Sequence, residues 1–352
     1  MKALVKYALG SDSVELRELP DPVPREGELK VRVLAASLCG SDVHAIQDER
    51  PITMPLTLGH EYVGQVVETC GDTGDFKVGD WVMTIPACFN CGTCELCRVG
   101  AVTLCPEHRS IGVKAPGAMA EYVIVPAAFS YHVPAGFKTL EDLIPYALTE
   151  PLACVVRGVY EKIDVKPGDL VVVSGPGAMG LMCVQAFKAR GAFVILSGLP
   201  VDTEKLKLGK QLGADVVTST YEELCDAVFS RNPLGADITC DATGVIPSLN
   251  SCLDVVRFMG THLQVGMFAK TLPFRLDAIF DREVTYVPTN ASATTTWDIT
   301  LDLLAQNKIQ LAPLVSRQFP IEQWEEALGT VLRKEVYKTV LLPNALDSFT
   351  ID

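Results

Sequence analysis

The run Leu170-Val-Val-Val-Ser174 passes without a break into Gly175-Pro-Gly177-Ala178-Met179-Gly180 and then into an apolar helical stretch reaching Arg190. A β-run, a G-x-G-x-x-G turn and a helix in that order leave few folds open. Gly175 permits the tight turn, Gly177 lets the backbone approach a pyrophosphate, and Gly180 lets the helix pack on the strand. The helix N-terminus then offers free N–H groups and its positive dipole end to an anion. The loop therefore predicts a bound dinucleotide, contacted by Gly175, Gly177, Ala178, Met179 and Gly180.

The surrounding texture agrees. Strand-like runs at 170–174, 193–197, 215–218, 237–241 and 261–265 alternate with helical stretches at 178–190, 204–212 and 248–257. Such alternation predicts a doubly wound parallel sheet. Before about residue 145 the chain instead carries many short β-branched runs broken by Gly, Pro and Asp, which predicts an irregular β-rich domain. After about Val284 the pattern loosens again, with amphipathic helices near 297–307 and 321–333 and a last strand at 339–342. No long linker or repeat intervenes, so the cleft between the domains is the default place for a site.

An acid ending the second strand of the dinucleotide unit would hold the ribose hydroxyls of NAD. Here that strand ends at Ser197-Gly198-Leu199-Pro200, with no acid before Asp202 and with Lys205 and Lys207 following. Ser197 and Lys205 remain the nearby candidates for cofactor contact. The choice between NAD and NADP stays open.

Cysteine placement is the second constraint. Cys91, Cys94, Cys97 and Cys105 crowd into fifteen residues of a chain of 352 with twelve cysteines. Composition alone would put about half a cysteine there. The spacing suits a loop wrapped around tetrahedral zinc, and four thiolates leave no position for water, so this is a structural site. An iron–sulfur cluster also takes four cysteines, but the usual ferredoxin spacings differ. Cys88 reads as a spare thiol beside the set. The N-terminus lacks a secretory pattern and no stretch has the length of a membrane span, which predicts a cytoplasmic protein without a disulfide framework. A formal net charge of −13 repels phosphate backbones and anionic lipids, so neither nucleic acid nor membrane is an expected partner.

Three further segments carry reactive groups: Cys39-Gly-Ser41-Asp42-Val-His44, Gly59-His60-Glu61 and Thr149-Glu150-Pro151. Together they supply one thiolate, one imidazole and one or two carboxylates, the composition of a catalytic zinc site with an exchangeable position. With the cysteine lobe, the glycine loop, Asp241-Ala-Thr243-Gly244 and Val265-Gly266, the whole chain resembles the zinc-dependent medium-chain dehydrogenase/reductase family, nearest its sorbitol-type and threonine dehydrogenase branches. The resemblance implies an α/β fold. A GroES-like catalytic domain (residues 1–148 and 286–352) would flank a Rossmann domain (149–285). Cys39 and His60 would bind the catalytic zinc. Glu61 and Glu150 would be the carboxylates at that metal, their division of labour undecided. Ser41 and His44 would relay a proton, with Glu61 also counted in the catalytic machinery. Thr243, Val265 and Gly266 would join the cofactor site.

The implied reaction is reversible oxidation of a secondary alcohol to a ketone with NAD or NADP. The substrate would be a polyol, sugar derivative or hydroxy acid. The resemblance also implies a homodimer or homotetramer, and the apolar stretch from Thr261 to Phe268 would suit a sheet edge between subunits. Two other readings keep the scaffold: a zinc-independent reductase, and a non-catalytic NAD(P)-binding sensor. The sorbitol branch carries an aromatic residue soon after the relay histidine and an arginine past the last sheet strand. Here Ala45 follows His44 and 286–293 holds no arginine, while Arg50 lies in the short loop before Leu58.

Overall fold

The computed structural model describes residues 1–268 and 271–351. The chain packs as two compact units. The first comprises Met1–Pro151, Ser292–Leu301 and Leu311–Asp352, and the second Leu152–Ala291 and Asp302–Gln310.

In the first unit a seven-stranded sheet runs in the order Ser130–His132, Trp81–Thr84, Glu61–Cys70, Glu28–Ser37, Lys338–Leu342, Val315–Pro320, with Tyr122–Pro126 also paired to Glu28–Ser37. Residues from distant parts of the chain meet in its middle. Ser37 lies opposite Glu61 on one side and Val340 on the other. The long strand Glu28–Ser37 alternates half-buried and buried residues at its start and is buried on both faces at its end. That change of pattern carries its C-terminus into the interior, where Cys39 follows. Leu29, Val31, Val33, Val66, Val82, Val123 and Leu341 form the core around it.

In the second unit six strands are all parallel, in the order Val216–Thr218, Phe193–Ser197, Leu170–Ser174, Ala236–Asp241, Val256–Gln264, Thr285–Pro288. The chain starts in the middle of the sheet, winds outward to one edge and returns to the other, the order of a dinucleotide-binding sheet. Leu170–Ser174 is buried along its whole length, as a strand covered on both faces must be.

Three sequence expectations shift. The strand expected at 261–265 begins at Val256, directly after a helix that ends at Val255. The cause is local: the Arg257 guanidinium bonds Asp237 at 2.8 Å and draws the chain onto the neighbouring strand. The division at 285/286 would cut into the final strand, Thr285–Pro288, whose parallel pairing keeps it in this sheet. That strand also covers Thr261–Gln264, so the proposed intersubunit edge cannot lie there. The exposed edge is Thr285–Pro288 itself.

Candidate active site and metal centres

Cys39 is the N-cap of the helix Gly40–Ile46, about two turns that the sequence pattern does not announce. The helix is fixed at its start by Asp42, whose carboxylate accepts the Cys39 backbone N–H at 2.9 Å, the reciprocal half of a capping box. At its other end the fully buried Lys6 ammonium bonds the Ile46 carbonyl at 2.9 Å and Asp48 at 2.8 Å. A cation at a helix C-terminus is favoured by the dipole as well as by the bond. Ser41, Asp42 and His44 are thus held on one short, doubly anchored element.

His60 immediately precedes the strand Glu61–Cys70. Gly59 precedes His60 with φ +92°, and a Cβ there would lie 2.6 Å from the Met119 side chain, so only glycine makes this turn. The ligating atoms of Cys39, His60 and Glu61 lie within 4.8 Å of one another. His60 Nδ1 faces Asp42 Oδ1 at 3.5 Å, while Nε2 lies 3.3 Å from Ser41 Oγ. Burial alone would keep this imidazole neutral, but the facing Asp42 carboxylate holds its protonated form well above the usual histidine range. Burial would likewise push Asp42 up, and His60 and the Cys39 N–H hold it below the ordinary carboxylate value. Asp42 therefore stands where a carboxylate behind a metal-binding histidine belongs.

Glu61 is completely buried and grasped on both oxygens by Lys338, at 2.8 and 2.6 Å. Glu150, in the helix Thr149–Val156, is buried too and adds to the negative field on Lys338. Its carboxylate is not in the close group with Cys39 and His60. His44 Nδ1 donates to Glu49 at 2.6 Å, which leaves Nε2 free to accept a proton.

The four clustered cysteines converge as their spacing predicts. Sulfur separations run 3.5 Å for Cys94–Cys97, 3.6 Å for Cys105–Cys91 and 3.9 Å for Cys91–Cys97. Sulfurs around a tetrahedral zinc at about 2.3 Å stand about 3.8 Å apart, so the donors fit that ion. The Cys94 and Thr93 N–H groups bond the Cys91 sulfur and hold its thiol down at about 6. Cys88 lies outside the group and donates to the Arg109 carbonyl at 3.1 Å.

The cofactor candidates gather at the C-terminal ends of neighbouring strands. Gly175 N–H bonds the Ser197 carbonyl at 2.8 Å, and Gly177 caps the helix Ala178–Ala189, which begins with Ala178, Met179 and Gly180. Val265 and Gly266 both donate backbone N–H groups to the Asp241 carbonyl, and a Cβ on Gly266 would strike Thr243 and Gly244. Thr243 itself is tied to the fully buried Asp241 carboxylate through N–H and Oγ1. Lys205 instead sits in the first turn of Thr203–Gln211 with its ammonium 3.7 Å from Asp202. A Cβ at Gly198 would lie 3.0 Å from the Pro176 side chain, a tight contact at the end of the strand Phe193–Ser197.

Sequence reading missed Lys338 and Glu49 and left Asp42 undecided. Only tertiary pairing across 277 residues reveals Lys338. Glu49, five residues after His44, had a weak local signal.

Among known proteins, the model of the alcohol dehydrogenase GroES-like domain matches residues 25–135 and that of the zinc-binding dehydrogenase matches 178–306. A sorbitol dehydrogenase of Halalkalibacterium halodurans is 34% identical over 97% of this chain and 99% of its own length. A D-arabitol-phosphate dehydrogenase of Enterococcus avium is 34% identical over 98% of each. Among solved structures, a protein from Sinorhizobium meliloti 1021 bound to NADP superposes with TM-score 0.87 at 28% identity, over 97% of this chain and 99% of that one.

Proposed function

The chain belongs to the zinc-dependent medium-chain dehydrogenase/reductase family, an NAD(P)-dependent oxidoreductase acting on CH–OH groups, and from that premise we propose that its substrate is a polyol or polyol phosphate oxidised at a secondary carbon. The observation that carries the reading is the convergence of Cys39, His60 and Glu61 beside Ser41. Neither the zinc-independent reductase nor the sensor draws support from the comparisons.

When bound, zinc held by Cys39, His60 and a carboxylate of Glu61 or Glu150 supplies Lewis acidity toward a hydroxyl, and NAD(P)+ supplies the hydride acceptor. Ser41 Oγ, beside the metal-facing edge of His60, takes the proton leaving the substrate hydroxyl. His44, oriented by Glu49, would accept it at Nε2 by way of the nicotinamide ribose of the bound cofactor. The loop Gly175–Gly180 and the segments Thr243–Gly244 and Val265–Gly266 hold the dinucleotide. The four-cysteine lobe holds the structural zinc.

The same reading places the enzyme in a reducing compartment, the cytoplasm, which its twelve cysteines, none of them in a disulfide, support. Among the described residues no helix is long and apolar enough to cross a membrane. It also makes the enzyme a homodimer or homotetramer. The free edge Thr285–Pro288 and the exposed Phe258, Met259, Leu276 and Phe280 in the same unit support a self-association surface.

The test is a screen of NAD+ and NADP+ against polyols, their phosphates and threonine, read as reduced-nicotinamide absorbance, with metal analysis of the wild type and of Cys39→Ala. Turnover of a polyol or its phosphate is expected, together with two zincs per chain. Cys39→Ala should lose one zinc and nearly all activity. A Cys39→Ala protein that turns over normally after losing a zinc would sink the assigned site.

A further inference from the structure

Glu61 and Lys338 form a buried ion pair. The carboxylate is 0% exposed and the lysine 7%, and the ammonium bridges both carboxylate oxygens while also reaching the Leu38 carbonyl at 3.4 Å. The sheet register makes the pair: Lys338 opens the strand beside Glu28–Ser37, and Glu61 opens the strand on its other side, opposite Ser37. Both residues are therefore first in their strands at the end of the sheet from which Cys39 departs.

A buried carboxylate that loses its counter-ion is strongly unfavourable, so Glu61 has two possible partners, the ammonium and a metal. Their competition has an electrostatic consequence. The Cys39 thiolate and Glu61 carboxylate would together cancel the charge of a divalent zinc, and Lys338 returns one positive charge to the same small volume, which Glu150 also faces.

We propose that Lys338 is a positioning residue that holds the Glu61 carboxylate back from full engagement with the catalytic zinc, lowering the affinity of the site for the metal and keeping the metal electrophilic. The proposal rests on the assignment of Cys39, His60 and Glu61 to zinc. Asp42 has no part in it, being spent on His60 and the Cys39 N–H.

The test is a double-mutant cycle on the full chain, with Lys338→Met, Glu61→Gln and the double variant. Zinc affinity is measured on stripped protein by chelator competition, and thermal melting is followed with and without added zinc. Lys338→Met should bind the catalytic zinc about ten- to a hundredfold more tightly than wild type. It should also show a larger zinc-induced rise in melting temperature and a kcat that falls more than KM changes. In the double variant the tightening should vanish, and Lys338→Arg should restore wild-type affinity.

Unchanged or weaker binding by Lys338→Met would overturn the proposal. So would equal affinities for Lys338→Met and the double variant, or a Lys338→Met chain that stays unfolded whether or not zinc is added. Cys39→Ala is the control on the premise: if it keeps both zincs, the ligand assignment fails, whereas loss of one zinc with no coupling between 338 and 61 condemns the lysine's role alone.

Discussion

Gly177 and Gly180 stand three residues apart in one loop and answer to different constraints. At Gly177 the backbone is extended (φ −73°, ψ 179°) and an added Cβ would meet nothing within 4 Å. At Gly180 it would fall 1.8 Å from the Gly175 carbonyl oxygen. Space beside Gly177 is therefore open, as close approach of a pyrophosphate would require, while the closed space at Gly180 is helix packed on strand. Gly177→Ala should leave the fold intact, even about 0.4–1 kcal/mol more stable through the unfolded chain. It should weaken NAD(P) binding by roughly tenfold or more. Gly180→Ala should instead lower the melting temperature of the cofactor-free protein. Titration calorimetry and melting curves on both variants decide it. Equal loss of stability in the two would mean that the loop is only a tight turn. Residue types and spacing made these positions legible without a structure. Asp42 was not, because its meaning lies in a contact with His60, eighteen residues away and just ahead of the strand Glu61–Cys70.

The helix Gly40–Ile46 shows why elements were read unevenly. The sheet strands Leu170–Ser174 and Phe193–Ser197 match their expected limits because apolar runs buried on both faces carry their own signal. A seven-residue helix has too few turns to show a period, and this one is held by Asp42 and Lys6 rather than by an apolar stripe. The helix Tyr221–Phe229 carries its own local signal, since Thr220 and Glu223 form a capping signature at its start. The short helix matters functionally because it spaces Ser41 from His44 and leads to Glu49. If Glu49 fixes the imidazole, Glu49→Gln should lower kcat by roughly tenfold with little change in KM. A change confined to KM would show that Glu49 serves the substrate loop rather than the relay.

Across the whole molecule, the candidate metal-binding groups belong to the first unit, while the second contains a buried polar network of its own. His262 is fully buried between the Thr239 hydroxyl, 2.9 Å from Nδ1, and Gln264 Oε1, 3.1 Å from Nε2. Gln264 in turn donates to Asp241 at 2.6 Å, and Tyr286 stacks on the imidazole at 5.2 Å. Burial disfavours the charged ring and depresses the His262 pKa, with Gln264 and Asp241 only partly offsetting it. The unfolded chain therefore binds a proton at a higher pH than the native one. The contribution is complete above the unfolded value of about 6.5 and is lost as pH falls from there through the depressed folded value. Within that window each pH unit costs up to about 1.4 kcal/mol. His262→Gln removes the titration, so its stability should start lower and fall less steeply on acidification. The measurement is hydrogen exchange of the amides in the strands Leu170–Ser174 and Ala236–Asp241, between pH 7 and about 5. Ala236–Asp241 pairs with the strand that holds His262, and Leu170–Ser174 pairs with Ala236–Asp241, so their exchange follows the sheet that holds the imidazole. Parallel slopes for wild type and His262→Gln would show that the buried imidazole does not set the acid limit of this sheet.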